Sequence, residues 1–375
     1  MIYRQVIVLI KRTFFILFCL FLLCITPIFA QNLPQVSAKS AVVYDPLDGS
    51  LLFALQPHER RGIASTTKIM TALVALEQYN INDIVTVQPE WCGSEGSSIY
   101  LKPGEQLQIR DLLYGLLLES GNDAAVALAG LDSEGAFVQK MNDKAHSLGL
   151  TDTHFDNPSG LDGKTHYSTA YELAQIAAAA MDNPTFAKIV ATKQVHLAGR
   201  TMENHNRLLE ELDACGVKTG YTKACGRCLV TAKEENDRML ICVTLNDPND
   251  WKDHKALLSY GFSQLENCDL IGAGDCGSVP LINSEKGEAR LYCNESFSCE
   301  LTPEQQKKIT VRLYGPRFVY GSVEAGSFYG MLRAELAGNT LFEAPVYFAN
   351  TSKENTTEHK FFNHLIDFII RRREH

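Results

Sequence analysis

Apolar positions fall into three textures along the chain. The first is an unbroken block from Phe14 to Ile25, preceded by Arg4, Lys11 and Arg12 and followed by Pro27 and Ala30 before polar Gln31. A basic start, an apolar stretch and a small residue predict a signal peptide over 1–30, with a retained anchor or a lipoprotein signal ending at Cys24 as alternatives. The second texture mixes strand and helix periods. Ser40–Tyr44 and Leu51–Leu55 flank Asp48-Gly49 and predict a hairpin. Ile69, Leu73 and Leu76 recur at helical spacing and predict a helix from about Ser65 to Gln78. Further helices are expected over Ile109–Glu119, from near Asn122, and over Glu134–Leu148, Thr169–Met181 and Lys255–Phe262. Strands are expected around Lys218, over Cys228–Ala232 and over Met239–Leu245.

From about Leu270 the third texture begins. Short alternating runs, Ala289–Tyr292, Ile309–Leu313 and Met331–Leu336, are broken by glycine and turn residues, as in a small all-β module. Thr351–His359 is polar, and Lys360–Ile370 is apolar again before Arg371-Arg372-Arg373. On a helical wheel Phe361, Leu365, Phe368 and Ile369 share one side, an amphipathic helix too short to span a bilayer and suited to lying in its interface. The divisions are therefore 1–30, 31–269, 270–350 and 351–375.

Composition narrows the function. The 375 residues are 45% hydrophobic, enough for one large core or two smaller ones, and the net charge is −9. The basic residues of the first thirty have no acidic counterpart there, so the remainder is more acidic still, which argues against nucleic-acid binding. Eleven cysteines, nine beyond residue 30, form no regular framework. Cys225-x-x-Cys228 has no second pair at finger spacing, and residues three apart on a strand face opposite sides, so both are expected to be buried small hydrophobes. Cys293 and Cys299 flank a short turn and could bridge two strands. His166 and His205 are expected to be structural.

Three short motifs carry chemistry. In Ser65-Thr66-Thr67-Lys68 the serine and lysine share a helical face, so a neutral lysine could activate the hydroxyl near the helix N-terminus. In Ser120-Gly121-Asn122 a hydroxyl and an amide could point into one cleft; the plainer reading is a helix end with Gly121 as its left-handed residue. Lys218-Thr219-Gly220, running into Tyr221, suits docking of an extended anionic substrate on a strand edge, with Gly220 admitting the ligand backbone. Each alone is weak. Together and in this order they are the signature shared by β-lactamases and penicillin-binding proteins.

The chain resembles the serine-type D-alanyl-D-alanine carboxypeptidases, the low-molecular-mass penicillin-binding proteins. The likeness extends through Ile63-Ala64, Leu118-Glu119, Asp123-Ala124-Ala125, Phe155 to Leu161, His166 to Ala170, Asn204 to Leu209, and Tyr221-Thr222, Gly226 and Cys228; Cys225 departs from it, standing where alanine is expected. The resemblance implies an α+β fold, a β-lactamase/transpeptidase-like domain of antiparallel sheet and helices followed by a small all-β domain. It implies trimming of the terminal D-alanine from peptidoglycan stem peptides, acylation by β-lactams, and no metal or organic cofactor. Ser65 is then the nucleophile, Lys68 its base and Ser120 a proton relay. Asn122, Lys218, Thr219, Gly220 and Tyr221 hold the substrate, with the Ser65 and Tyr221 N–H groups as oxyanion hole. It also implies export, either to the outer face of the bacterial cytoplasmic membrane, with the C-terminal helix on the membrane surface, or as a secreted enzyme.

Three other functions share features with this reading. A class A β-lactamase needs a deacylating glutamate, and none of Glu134, Glu172, Glu203, Glu210 and Glu211 precedes Leu-Asn. A non-catalytic peptidoglycan-binding scaffold would not need three intact motifs. Endopeptidase or transpeptidase action on the same peptides stays open.

Overall fold

The computed structural model describes residues 33–353. The expected signal over 1–30 and the expected anchor helix at Lys360–Arg371 lie outside them. Every element below belongs to the unit that begins at Val36.

A five-stranded antiparallel sheet organises the first part of this unit. Its strands are β1 (Ser40–Asp45), β2 (Ser50–Leu55), β3 (Gly216–Thr222), β4 (Gly226–Glu235) and β5 (Arg238–Leu245), in the order β2-β1-β5-β4-β3. Every residue of β1 is buried, because helices cover both faces of the sheet. The period-two alternation of side chains sorts the residues between those faces. Val42, Tyr44, Ile241 and Val243 join one apolar cluster with Ala170, Leu173 and Ala174 of helix Ala170–Met181. Ala41, Val43, Leu240 and Cys242 join another with Leu257 and Leu258 of helix Asp250–Phe262.

The first cluster surrounds α1 (Lys68–Gln78), whose residues from Lys68 to Ala75 are all buried. A helix apolar on every side belongs in the middle of a core, and α1 is packed by α2 (Ile109–Leu117) and α3 (Asn122–Ala129). The helix expected from Ser65 begins instead as a 3₁₀ turn over Ala64–Thr67. The Thr66 and Thr67 hydroxyls bond back to the carbonyls of Ile63 (2.6 Å) and Ala64 (2.8 Å), offering the backbone an alternative to the α ladder.

The second part is built of strands, with one short helix at Pro303–Lys308. Strands β6 (Glu266–Ile271), β7 (Gly274–Ile282), β8 (Glu288–Cys293) and β9 (Phe297–Leu301) form one long ribbon in which β6 pairs with β9 and β7 with β8. With β10 (Thr310–Tyr314), β11 (Val319–Tyr320), β12 (Phe328–Leu336) and β13 (Asn339–Phe348), β7 and β8 complete a six-stranded sheet, order β10-β12-β13-β8-β7-β11. The position 269/270 falls inside β6. Arg238 links the two parts: its guanidinium forms a buried ion pair with Asp45 and bonds the Glu300 carbonyl at 2.6 Å. Among the described residues no helix is long and apolar enough to cross a membrane.

Candidate active site

Ser65 lies on the 3₁₀ turn, wedged between α1 and the edge strand β3. The fit is close enough that a Cβ on Gly220 would stand 3.0 Å from the Ser65 amide nitrogen and 3.1 Å from that of Thr66. The close approach that Gly220 permits is therefore first of all to the protein's own nucleophile turn, where the sequence suggested a ligand backbone.

One turn on, Lys68 is fully buried. Its Nζ lies 2.9 Å from Ser65 Oγ, 2.7 Å from Asn122 Oδ1 and 2.6 Å from the Ser159 carbonyl oxygen. Burial first, and the nearby Lys218 charge second, hold its ammonium well below the ordinary lysine range, opposed by Asp123. A neutral amine has two N–H bonds and one lone pair, so with two carbonyl acceptors satisfied the lone pair is left for the serine hydroxyl.

Each partner is held in turn. The Asn157 side-chain carbonyl accepts from the Ser159 amide and hydroxyl and from the Gly160 amide (2.8 Å), fixing the turn that presents the Ser159 carbonyl. Gly160 takes φ +86°, and a Cβ there would stand 2.0 Å from the Ala64 carbonyl oxygen, so no other residue fits. Asn122 Nδ2 donates to the Glu95 carbonyl at 2.5 Å, and its amide to Ser97 O at 2.7 Å. Buried Asp123 accepts from the amides of Ile99 and Leu101 and from the Ser98 hydroxyl, pinning the loop that carries Ser97.

Ser120 is buried and is itself the left-handed residue, with φ +60°, while Gly121 has φ −58°. This reverses the expectation for Gly121, whose missing Cβ serves packing: one there would meet Asp123 Oδ1 at 2.9 Å and Ile99 at 3.2 Å. A non-glycine residue in this conformation is strained, and such strain concentrates at functional sites.

Lys218 is only 2% exposed; its Nζ donates to the Thr219 carbonyl at 2.9 Å, and burial lowers it to about 7. Thr219, Gly220 and the exposed Tyr221 face a cleft of about 330 Å³ together with Ser65 and Ser120. The cleft's other walls were not singled out in the sequence: Ser97, Arg207, Arg227, Asp250 and Trp251. The Arg207 and Arg227 guanidiniums lie 5.9 Å and 5.7 Å from the Trp251 ring centre, and Arg227 pairs with Asp250 at 2.9 Å. Only Arg207, inside the Asn204–Leu209 segment, had any local signal.

His205 lines this cleft and lies 3.4 Å from Glu119. His166 sits behind it: the Asp156 amide donates to Nδ1 and Nε2 bonds Thr67 Oγ1 at 2.7 Å, while burial lowers the imidazole to about 4. It is thus a neutral strut under the nucleophile turn. Glu172, one of the acids considered for a deacylating role, is committed to the Thr151 and Asp152 amides and the Thr153 hydroxyl. Cys225 lies in the turn between β3 and β4, not on a strand, and Gly226 at φ +71° redirects the chain after it. Both thiols consequently meet the Gly62 segment, Cys225 donating to Asp162 at 3.2 Å and Cys228 to the Gly62 carbonyl at 3.8 Å, instead of facing apart. Burial raises both, Cys228 to about 12. Among the described residues no group of three or more His, Cys, Asp or Glu could hold a metal ion.

Residues 28–249 match the family model described as D-alanyl-D-alanine carboxypeptidase. The chain is 32% identical to D-alanyl-D-alanine carboxypeptidase DacF of Bacillus subtilis (strain 168) over 331 residues, 82% of this chain and 84% of that protein. Among solved structures it is similar to penicillin binding protein 5 from Haemophilus influenzae (TM-score 0.62, 29% identity, 86% of this chain and 99% of that one). It is also similar to the Streptomyces K15 DD-transpeptidase (TM-score 0.59, 34% identity, 61% of this chain and 98% of that one).

Proposed function

The chain belongs to the family of serine D-alanyl-D-alanine carboxypeptidases and acts in peptidoglycan metabolism, and from that premise we propose how its residues divide the work. Ser65 attacks the carbonyl between the two terminal D-alanines of a stem peptide. Lys68, neutral through burial, takes the hydroxyl proton. D-Alanine leaves with a proton relayed by Ser120, and water then hydrolyses the acyl-enzyme. The backbone N–H groups of Ser65 and Tyr221 stabilise the oxyanion. Asn122 orients Lys68 and the substrate amide. Lys218 and Thr219 receive the terminal carboxylate, with Arg207 and Arg227 adding positive charge to the same cleft, and Gly220 keeps the edge strand against the serine. β-Lactams acylate the same serine.

The observation that carries this reading is Lys68 Nζ, within 2.9 Å of Ser65 Oγ and 2.7 Å of Asn122 Oδ1, since it joins two motifs far apart in sequence. The support for residue 1–30 as an export signal, and for 351–375 as a linker and interfacial anchor, is their charge and apolar pattern alone. We further propose residues 31–269 as the catalytic domain and 270–350 as a separate β-rich domain. Incubation with a stem peptide ending in D-Ala-D-Ala, with and without an amine acceptor, tests the reaction. Stoichiometric D-alanine and the shortened peptide are expected. Products that are mainly cross-linked would make the enzyme a transpeptidase, and an unchanged peptide would refute both.

A further inference from the structure

The sequence suggested that Cys293 and Cys299 might bridge across a turn. They lie instead on successive strands of one leg of the ribbon, β8 and β9. Each lies near a different cysteine on the other leg. Cys299 is the register partner of Cys268 in the β6–β9 pair. Cys276 sits at the register shift between Asp275 and Gly277 and packs against the apolar cluster that holds buried Cys293; its thiol donates at 3.5 Å to the carbonyl of Gly274, the register partner of Cys293. All four are free thiols here.

We propose that the ribbon is a disulfide acceptor site, closed by two nested bridges, Cys268–Cys299 and Cys276–Cys293. Cys268 and Cys299 are directly opposed, and such residues on antiparallel strands have Cα atoms about 4.5 or about 5.5 Å apart, within the span a disulfide takes. Cys276 is not opposite Cys293 in register; there the bulge, which leaves Cys276 unpaired two positions from Gly274, lets the two thiols approach. The two pairs are the cysteines that strand pairing brings together. By contrast Cys242 stands opposite Val43 and Thr231. The setting suits oxidation, because an enzyme that works on peptidoglycan outside the membrane meets an environment where disulfides persist.

The oxidant is a disulfide, of a small molecule or of a thiol–disulfide oxidoreductase. One cysteine thiolate attacks it and expels one oxidant thiol. The facing cysteine then attacks the mixed disulfide and expels the other. Each pair loses two protons and two electrons, the oxidant leaves as two thiols, and one S–S bond forms. The bridges would fasten the two legs where the chain passes from β5 and helix Asp250–Phe262 into the second part, without touching the cleft.

The test uses the folded full-length protein equilibrated in an oxidising glutathione buffer, alkylated in denaturant and mapped by mass spectrometry without reduction. The expected result is one linked peptide pair holding Cys268 and Cys299 and another holding Cys276 and Cys293, each lighter by two hydrogens, with Cys92, Cys215 and Cys242 alkylated. Cys268→Ser should leave Cys299 alkylated and Cys276–Cys293 intact. Any other pairing among the four, or alkylation of all four, overturns the proposal. Penicillin uptake should be the same in oxidised and reduced protein, so that failure of the bridges does not bear on the catalytic assignment.

Discussion

Around Ser65 the protein buries ionisable groups: Lys68 and Lys218 are 0% and 2% exposed, and Asp123 is fully enclosed beside them. Past Glu266 the rule is different. Strand β8 alternates exposed or half-buried with buried positions, the second half of β13 alternates buried with half-buried ones, and none of the buried polar residues described there is charged. Enclosing an ammonium group is unfavourable by several kcal/mol unless partners compensate. Lys68 has three such partners, and two are anchored by further hydrogen bonds, Ser159 through Asn157 and Asn122 through Glu95 and the Asp123-held loop. The part past Glu266 meets no such demand, since its buried polar residues Thr302, Gln305 and Ser352 are uncharged, and its sheets are assembled chiefly by alternation. Desolvated amines at a cleft, together with a strained Ser120, therefore mark where the chemistry is.

The sharpest way to break that contrast is to keep the charge of Lys68 and remove its basicity. Lys68→Arg cannot deprotonate near neutral pH, so acylation by penicillin should fall by several orders of magnitude, on the scale of losing a triad member in a serine hydrolase, about 10⁴–10⁶-fold. Stopped-flow or gel-based labelling would measure it. Near-normal acylation would move the base elsewhere, Lys218 being the next candidate.

Lys218→Gln should act more mildly. Loss of a charged contact weakens binding of carboxylate-bearing peptides by about 1.5–3 kcal/mol, with a smaller effect on an uncharged ester. Stability supplies a second readout. Because burial brings Lys218 down to about 7 from 10.5, the unfolded chain holds one more proton between those pH values. Wild-type stability should thus rise relative to the variant as pH increases from about 7 to 10.5, by at most about 1.4 kcal/mol per pH unit, and be level below that window. Denaturant titrations across pH test the sign, and a difference that does not move with pH would show that Lys218 is not buried as a neutral amine.

The smallest effect on catalysis is expected from the other region. Leu291 on β8 is 1% exposed in the second apolar cluster. Leu291→Ala should lower stability by about 2–5 kcal/mol and leave the acylation rate of the folded protein unchanged. A slowed acylation would mean that the two regions are coupled more closely than their construction suggests.

The sequence made the ordering of elements legible wherever period and punctuation agree. The hairpin β1–β2, helices α1 to α3 and strands β4 and β5 all follow local pattern. The Ser65 turn departs from it because two threonine hydroxyls compete with the helix ladder, an effect of neighbours rather than propensity. The three motifs were visible as short strings. What they share, the enclosure of Lys68, was not, since Ser159 reaches it from 91 positions away and the Gly160 turn that presents its carbonyl has no meaning until Ala64 is beside it. Arg227, Asp250 and Trp251 likewise become a cleft wall only when β4 meets the following helix. The cysteines show the same limit. Spacing suggested 293 with 299, whereas register, which a bulge shifts by one residue, sets each against the opposite leg.

The central claim is that Ser65 is the residue acylated, and peptide mapping of the penicillin adduct tests it most directly. Wild-type protein digested after labelling should carry the penicilloyl group on Ser65 alone, and Ser65→Ala, shown to be folded, should carry none. An adduct on Ser120, or labelling of Ser65→Ala at the wild-type rate, would contradict the account.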